Sequence, residues 1–130
     1  MVKIGDKNEI ITKVEKPYLA SSMKSGCLDV FATPMVVAFM EETALELLEP
    51  SLPDGITTVG TEVNVRHISP TPLGAEVRFT AELVESDDRF FSFKVEAYDK
   101  AGLIAEGTHT RASVKAEKFE KKADEKYDEI

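Results

Sequence analysis

Residues 33–42 read Thr-Pro-Met-Val-Val-Ala-Phe-Met-Glu-Glu, and this stretch decides how the rest of the chain must fold. Thr33 is a good helix N-cap and Pro34 is favoured at the first helical position. Because Pro50 stops the segment, the sequence predicts a helix over about 33–49. The six consecutive apolar residues at 35–40 are more than the single stripe that a surface helix needs. The pattern therefore predicts a helix that is buried on nearly all sides.

Strand-like segments surround this helix in the sequence. A strand of mixed polarity is expected at 8–16, followed by an irregular loop at 17–32. After the helix, four segments with period-two alternation and short turns predict an antiparallel meander that is apolar on one side; they lie at about 57–68, 75–85, 91–97 and 103–114. One helix wrapped by one curled antiparallel sheet of about five strands is the hotdog fold, in the α+β class. Its exposed sheet edge favours pairing into a homodimer.

Length and composition limit the possible classes of protein. The 130 residues predict one domain, 1–130, with a charged C-terminal tail at 115–130 in which 11 of 16 residues are charged. A net charge of −8 argues against nucleic-acid binding. One cysteine and two histidines are too few for a zinc site, so no metal is expected. No apolar run approaches a membrane span and the N-terminus has no apolar leader, so we expect a cytoplasmic protein that binds no membrane.

Two neighbouring glutamates in the helix have different surroundings. Glu41 and Glu42 lie about 100° apart around the helix axis, and Glu42 shares its face with Glu46 and Glu49, which predicts a solvated side chain. Every neighbour of Glu41 three or four residues away is apolar (Val37, Ala38, Ala44 and Leu45). Burial there would raise the pKa of Glu41 and mark it as a functional candidate; the alternative is a rim position from which the carboxylate reaches water.

Polar residues on the neighbouring strand complete the set of candidates. Counted by twos from Val59, His67 falls on the face of its strand that is expected to meet the helix, where Glu41 could be its partner. His109 has no clean alternation around it and is interpreted as a structural residue. Gly60 falls on the face opposite His67 and predicts either a bulge or a close approach of backbone.

Thr33 and Glu41 are separated by eight residues, about 12 Å along a helix. Direct contact within one chain is therefore excluded. A site that uses both groups must bridge them with substrate or water, or must draw them from two subunits. Cys27 has only Lys24 as a basic neighbour, which does not favour a catalytic thiolate.

Three motifs together resemble the fluoroacetyl-CoA thioesterase-like family of hotdog proteins, over about residues 15–120. They are Val-Phe-Ala-Thr-Pro-Met-Val-Val-Ala-Phe-Met-Glu-Glu at 30–42, Thr-Val-Gly-Thr-Glu-Val-Asn-Val-Arg-His at 58–67 and Gly-Thr-His-Thr-Arg at 107–111. The resemblance implies a homodimer that hydrolyses acyl-CoA thioesters without a metal and without a cofactor, since coenzyme A enters as part of the substrate. It implies Thr33, Glu41 and His67 as catalytic residues, and it assigns Gly60 and Arg111 to substrate binding.

The sequence departs from the family upstream of Thr33. The fluoroacetate-specific member carries aromatic residues over the acyl pocket in this segment, whereas residues 21–27 read Ser-Ser-Met-Lys-Ser-Gly-Cys. The expected substrate is therefore a short-chain acyl-CoA in general. Two other functions remain open at this point: a hotdog enoyl-CoA hydratase or dehydratase, and a non-catalytic acyl-CoA-binding module.

Overall fold

The computed structural model describes residues 1–129 as five strands and three α-helices. In chain order they are β1 (Lys7–Lys13), α1 (Ala20–Met23), α2 (Thr33–Leu48), β2 (Ile56–His67), β3 (Glu76–Ser86), β4 (Phe90–Asp99), β5 (Gly102–Lys115) and α3 (Ala116–Asp128). Short 3₁₀ turns lie at Lys16–Tyr18 and Glu49–Ser51. The second of these turns contains Pro50, which ends α2 as predicted.

The strands form one antiparallel sheet in the order β1-β3-β4-β5-β2, and α2 packs against β1, β2, β3 and β4. A single long helix held by four strands of one sheet is the predicted hotdog architecture, which is confirmed. β1 and β2 are the two edges of the sheet. The longer edge, β2, therefore has one row of backbone hydrogen-bonding groups without a neighbouring strand.

The core lies between α2 and the inner face of the sheet. The alternation predicted for β3 and β4 is confirmed, because their odd-numbered residues 77–83 and 91–97 are buried. Four aromatic rings, those of Tyr18, Phe31, Phe39 and Phe79, contact one another with centroid separations of 5.3–6.2 Å. Such ring contacts add to the stability that burial provides, and they attach the segment before α2 to the sheet.

The expectation that α2 is buried on nearly all sides was wrong. One face is buried and carries Val36, Phe39, Met40, Thr43, Ala44 and Leu48. The adjoining face is open: Ala38 is exposed, and Val37, Glu41 and Leu45 are only half-buried. The sheet of one chain covers only one side of the helix, so an apolar strip beside Glu41 is left without a cover.

β2 contains a bulge that changes which residues face the helix. Its register against β5 shifts between Gly60 and Glu62, so Thr61 is the extra residue. Thr58 is buried and Gly60 lies beside Glu41 before the bulge, whereas Val65 packs against the core after it. The bulge next to Gly60 was predicted. The placement of Gly60 on the face opposite His67 was wrong, because the extra residue reverses the alternation.

The charged tail forms α3, a helix in which no residue from Ala116 to Asp128 is buried. Ile130, the last residue of the predicted tail, lies outside the described residues. Within residues 1–129, the structure has no helix with the length and apolar character needed to cross a membrane.

Candidate active site

Thr33 and His67 form the first of two polar clusters. The Thr33 Oγ1 lies 2.7 Å from Nδ1 of His67, so the first turn of α2 and the end of β2 meet at this point. The expected N-cap role of Thr33 was wrong: the N-cap is Ala32, which makes Thr33 the first helical residue, and no side chain caps the helix. The hydroxyl of Thr33 is therefore bonded to a histidine ring and not to backbone amides.

The imidazole of His67 is half-buried and has one nitrogen in use. Burial lowers its pKa below the ordinary value of 6.5, and the backbone of Ser69 raises it in part. Its Nε2 is buried and has no hydrogen-bond partner within residues 1–129. A buried polar atom without a partner is uncommon and costly in a native protein. This nitrogen is therefore a candidate for a contact with a group from outside the chain.

A pocket of about 300 Å³ opens beside this pair. Its volume is at the small end of the range for ligand sites. It is lined by Ala20, Ser25, Val30, Phe31, Thr33, His67, Ile68, Ser69 and Pro70. Ser25 belongs to residues 21–27, the segment in which the sequence has no aromatic residues.

Glu41 belongs to the second cluster. Its Oε2 lies 3.8 Å from Nη1 of Arg111, and the exposed fraction of the Glu41 side chain is 39% against 7% for Arg111. The expectation of a buried Glu41 was wrong, and the rim position that the sequence left open is the observed one. Glu42 is exposed as predicted, and desolvation raises its pKa, with further contributions from its hydrogen bond to Glu46 and from the charge of that carboxylate.

Arg111 is fixed by three groups besides Glu41. Its Nε donates to the Thr58 hydroxyl at 2.9 Å and its Nη2 donates to the Thr58 carbonyl at 2.9 Å. Its Nη1 lies 3.2 Å from Nε2 of His109. Because a guanidinium only donates hydrogen bonds, Nε2 of His109 must accept, and Nδ1 of the same ring must then donate to the Glu62 carbonyl at 2.9 Å. Burial lowers the pKa of His109, and the charge of Arg111 lowers it further.

Gly60 provides the space for the Glu41 carboxylate. A Cβ atom at Gly60 would lie 2.5 Å from Glu41 Oε2 and 3.1 Å from Cε1 of His109. The alternative expected at this glycine, a close approach of backbone, was wrong, because the approaching groups are side chains. Thr58 and His109 belong to this cluster but were not predicted for it. The available signal was that His109 lies two residues before Arg111, on the same face of β5.

The structure thus brings Glu41, Gly60 and Arg111 together, and separately brings Thr33 and His67 together. Within one chain Glu41 is not the partner of His67: the partners of Glu41 lie on β2 and β5, whereas the ring of His67 contacts the helix start. The separation of Thr33 from Glu41 along one helix is confirmed. Within residues 1–129, no cluster of three His, Cys, Asp or Glu side chains suited to a metal is present.

Comparison with known proteins adds to this geometry. Residues 14–117 match the family model described as FlK, fluoroacetyl-CoA-specific thioesterase. The fluoroacetyl-CoA thioesterase of Streptantibioticus cattleyicolor is 39% identical over 98 residues, which are 75% of this chain and 70% of that protein. A solved structure of the fluoroacetyl-CoA thioesterase FlK superposes with a TM-score of 0.93 at 30% identity, covering 97% of this chain and 98% of the other.

Two further solved structures extend the comparison. A mutant of the fluoroacetyl-CoA-specific thioesterase in complex with fluoroacetate and CoA superposes with a TM-score of 0.87 at 31% identity, over 91% of this chain and 99% of the other. A hot-dog-like protein from Thermanaerovibrio acidaminovorans has a TM-score of 0.87 at 24% identity, over 95% of this chain and 92% of the other. At that identity the second structure supports the fold alone.

Proposed function

The chain belongs to the fluoroacetyl-CoA-specific thioesterase family and hydrolyses acyl-CoA thioesters, and we propose that its active site is assembled from two copies of the chain. In this proposal, Thr33 and His67 of one protomer act together with Glu41 of the other. In that other protomer, Arg111 pairs with the Glu41 carboxylate and Gly60 leaves the space that the carboxylate occupies. The observation that carries the proposal is the buried Nε2 of His67, which has no partner within residues 1–129.

The edge strand β2 supports a two-fold arrangement. When an edge strand pairs antiparallel with its own copy, residues at equal distances on either side of the axis face each other. An axis between Val63 and Asn64, both of which are exposed, would set His67 opposite Gly60 of the partner subunit. Because Gly60 touches Glu41, the same axis would bring the partner's Glu41 near the free nitrogen of His67. It would also cover the open apolar face of α2.

The proposed reaction uses the hydrogen bonds already present on each side. Nδ1 of His67 accepts the Thr33 hydroxyl proton while Oγ1 attacks the thioester carbonyl, and Nε2–H of the same ring donates to the partner's Glu41. The imidazolium then protonates the leaving thiolate of CoA. Water, activated by the same histidine, hydrolyses the acyl group from Thr33. The positive end of α2, where the backbone N–H of Thr33 begins the helix, stabilises the oxyanion.

The small pocket beside Thr33 supports a short acyl group. Residues 21–27 contribute Ser25 to this pocket and no aromatic ring, and the aromatic side chain that does line it, Phe31, is packed in the core, so fluoroacetate specificity is not part of the proposal. The reaction as written needs no cofactor, since CoA enters with the substrate. The exposed thiol of Cys27, with no second cysteine in the chain, fits a reducing compartment, and a cytoplasmic location is part of the same proposal.

The first experiment identifies the reaction. The protein is incubated with acetyl-, fluoroacetyl-, butyryl- and crotonyl-CoA, and free CoA is measured with a thiol reagent. We expect CoA release from the short saturated thioesters. Hydration of crotonyl-CoA without CoA release would instead identify a hydratase, and saturable binding without either reaction would identify a binding module.

The second experiment tests the two-chain site by complementation. Thr33→Ala and Glu41→Gln homodimers should each be nearly inactive. After subunit exchange, half of the dimers contain one site with wild-type Thr33 and wild-type Glu41 from opposite chains, so about a quarter of wild-type activity should return. A mixture of Thr33→Ala with His67→Gln is the matched control and should stay inactive, because both groups come from the same chain. Failure of the first mixture to recover activity would exclude the two-chain site.

A further inference from the structure

A cationic groove lies at the junction of β2, β5 and α3, away from Thr33 and His67. Its volume is about 450 Å³. Apolar side chains form part of its wall, including Phe119, which is 46% exposed. The lining residues are Ile56, Arg89, Ser113, Val114, Lys115, Lys118, Phe119 and Lys122. No acidic side chain is among them.

The four cations of this groove are not held in ion pairs within the described residues, although Asp54 and Glu117 line the adjoining cavity that shares Lys115 and Lys118 with it. No salt bridge within residues 1–129 involves Arg89, Lys115, Lys118 or Lys122. In contrast, Lys121 on the same helix pairs with Glu125 at 3.9 Å. The chain as a whole has a net charge of −8, so its average field repels anions. A concentration of unpaired positive charge is therefore the local feature that a polyanionic ligand would need.

The groove is continuous with the Glu41 cluster through the strand register. Gly60 pairs with Arg111, and the next two pairs on the same face are Thr58 with Ser113 and Ile56 with Lys115. Ser113, Ile56 and Lys115 line the groove, while Thr58 holds Arg111. Successive pairs on one face are about 6.6 Å apart, so the groove begins about 6.6 Å from Arg111 and its Lys115 lies about 13 Å away.

We propose that this groove binds the 3′-phosphorylated ADP end of the acyl-CoA substrate, with Arg89, Lys115, Lys118 and Lys122 contacting its phosphates. The flexible pantetheine arm separates the thioester from these phosphates, as the strand pairs separate Arg111 from Lys115. Phe119 offers an exposed aromatic face on which the adenine can stack. This inference rests on the proposed function, and it assigns to α3 a role in substrate binding that the thioester chemistry does not require.

The kinetic test compares substrates with and without the nucleotide. The variant Lys118→Gln/Lys122→Gln should raise the KM for acetyl-CoA about tenfold with kcat nearly unchanged, because two phosphate contacts are lost. It should leave kcat/KM for acetyl-pantetheine, which has no phosphates, at the wild-type value. The control Lys7→Gln/Lys13→Gln removes the same charge from the opposite edge of the sheet and should change neither. Equal losses on both substrates would overturn the proposal.

A binding test separates this inference from the proposed reaction. Calorimetry with adenosine 3′,5′-bisphosphate should show binding to the wild type and to the Lys7→Gln/Lys13→Gln control, and binding about tenfold weaker to Lys118→Gln/Lys122→Gln. Binding that is equal in all three proteins, or absent from the wild type, would overturn the groove while leaving thioester hydrolysis intact. Loss of hydrolysis with preserved lysine-dependent binding would instead overturn only the proposed reaction. Far-UV circular dichroism of each variant checks that it is folded.

Discussion

At the residue scale, Gly60 connects the fold with the candidate chemistry. The replacement Gly60→Ala would add a Cβ 2.5 Å from Glu41 Oε2. The φ angle of Gly60 is outside the left-handed region, so alanine brings no backbone strain. The carboxylate is the end of a flexible side chain and can move away from Arg111. We therefore expect stability to change by less than about 1 kcal/mol, whereas thioesterase activity falls at least about tenfold.

Chemical denaturation and steady-state kinetics measure these two effects on the same sample. Gly26→Ala is the control, because a Cβ there meets only the Ala20 Cβ at 3.3 Å and lies outside both clusters. Unchanged activity in Gly60→Ala would contradict a catalytic role for the position of Glu41.

Thr33 gives a second prediction at this scale. Its hydroxyl contacts His67 and caps no amide, so Thr33→Ala should cost less than the ~0.5–2 kcal/mol that removal of an N-cap costs. Turnover should nevertheless fall by about 10²–10⁴-fold, whereas Thr33→Ser should keep substantial activity. Thermal unfolding together with hydrolysis of acetyl-CoA separates stability from function. A large loss of stability with normal turnover would reverse the assignment.

The sequence was enough to place Glu41 and Glu42 on different faces of the helix and Thr33 at its start, because side-chain spacing on a helix is regular. The partners of these groups could not be predicted in the same way. Arg111 reaches Glu41 only because β5 lies next to β2, and His67 meets Thr33 across 34 residues of chain. Such contacts depend on the sheet order and on the register, which local periodicity does not contain.

At the element scale, β2 shows where sequence reasoning failed and why. The alternation counted from Val59 assumed a regular strand, but the extra residue at Thr61 reverses the two faces. Alternation was predicted well where the register is unbroken: residues 77–83 of β3 and 91–97 of β4 have the buried odd-numbered positions that alternation indicates. The helix start was displaced by one residue, since Pro34 is compatible with the second as well as the first helical position.

The exposed edge of β2 carries a prediction about assembly. Val63→Lys would put two like charges next to the proposed two-fold axis, so the dimer should dissociate and activity should fall with it. Ile11→Lys is the matched control: it introduces the same charge at an exposed apolar residue of the other edge, β1, and should keep both dimer and activity. Light scattering at micromolar protein reports the mass of each. Dissociation by Ile11→Lys and not by Val63→Lys would move the interface to β1.

At the scale of the whole molecule, one chain is an incomplete unit for the proposed reaction. The sheet covers one side of α2, the apolar strip beside Glu41 is open, and Nε2 of His67 has no partner within the part of the chain that the structure describes. The hotdog fold was predictable because the helical periodicity of one segment and the alternation of the strand segments are both visible in the sequence. The uncovered face was not predictable, since an apolar residue on an uncovered face looks in sequence like a core residue.

The pH dependence of folding tests the buried polar network as a whole. The chain has two histidines, and burial lowers the pKa of both below 6.5. Between these lowered pKa values and 6.5, the unfolded chain binds more protons than the folded one, so the free energy of unfolding must fall as the pH falls. Above about pH 7.5 both states are neutral at these rings and the effect disappears. Urea unfolding between about pH 5.5 and 7.5 should show this slope, to which Glu42 contributes with the opposite sign because its pKa is raised above the ordinary value of 4.5. In His109→Gln the slope should be smaller, because the ring held between Arg111 and the Glu62 carbonyl is no longer present to titrate. If the slope is the same in the wild type, in His109→Gln and in His67→Gln, then folding does not lower the pKa of either ring.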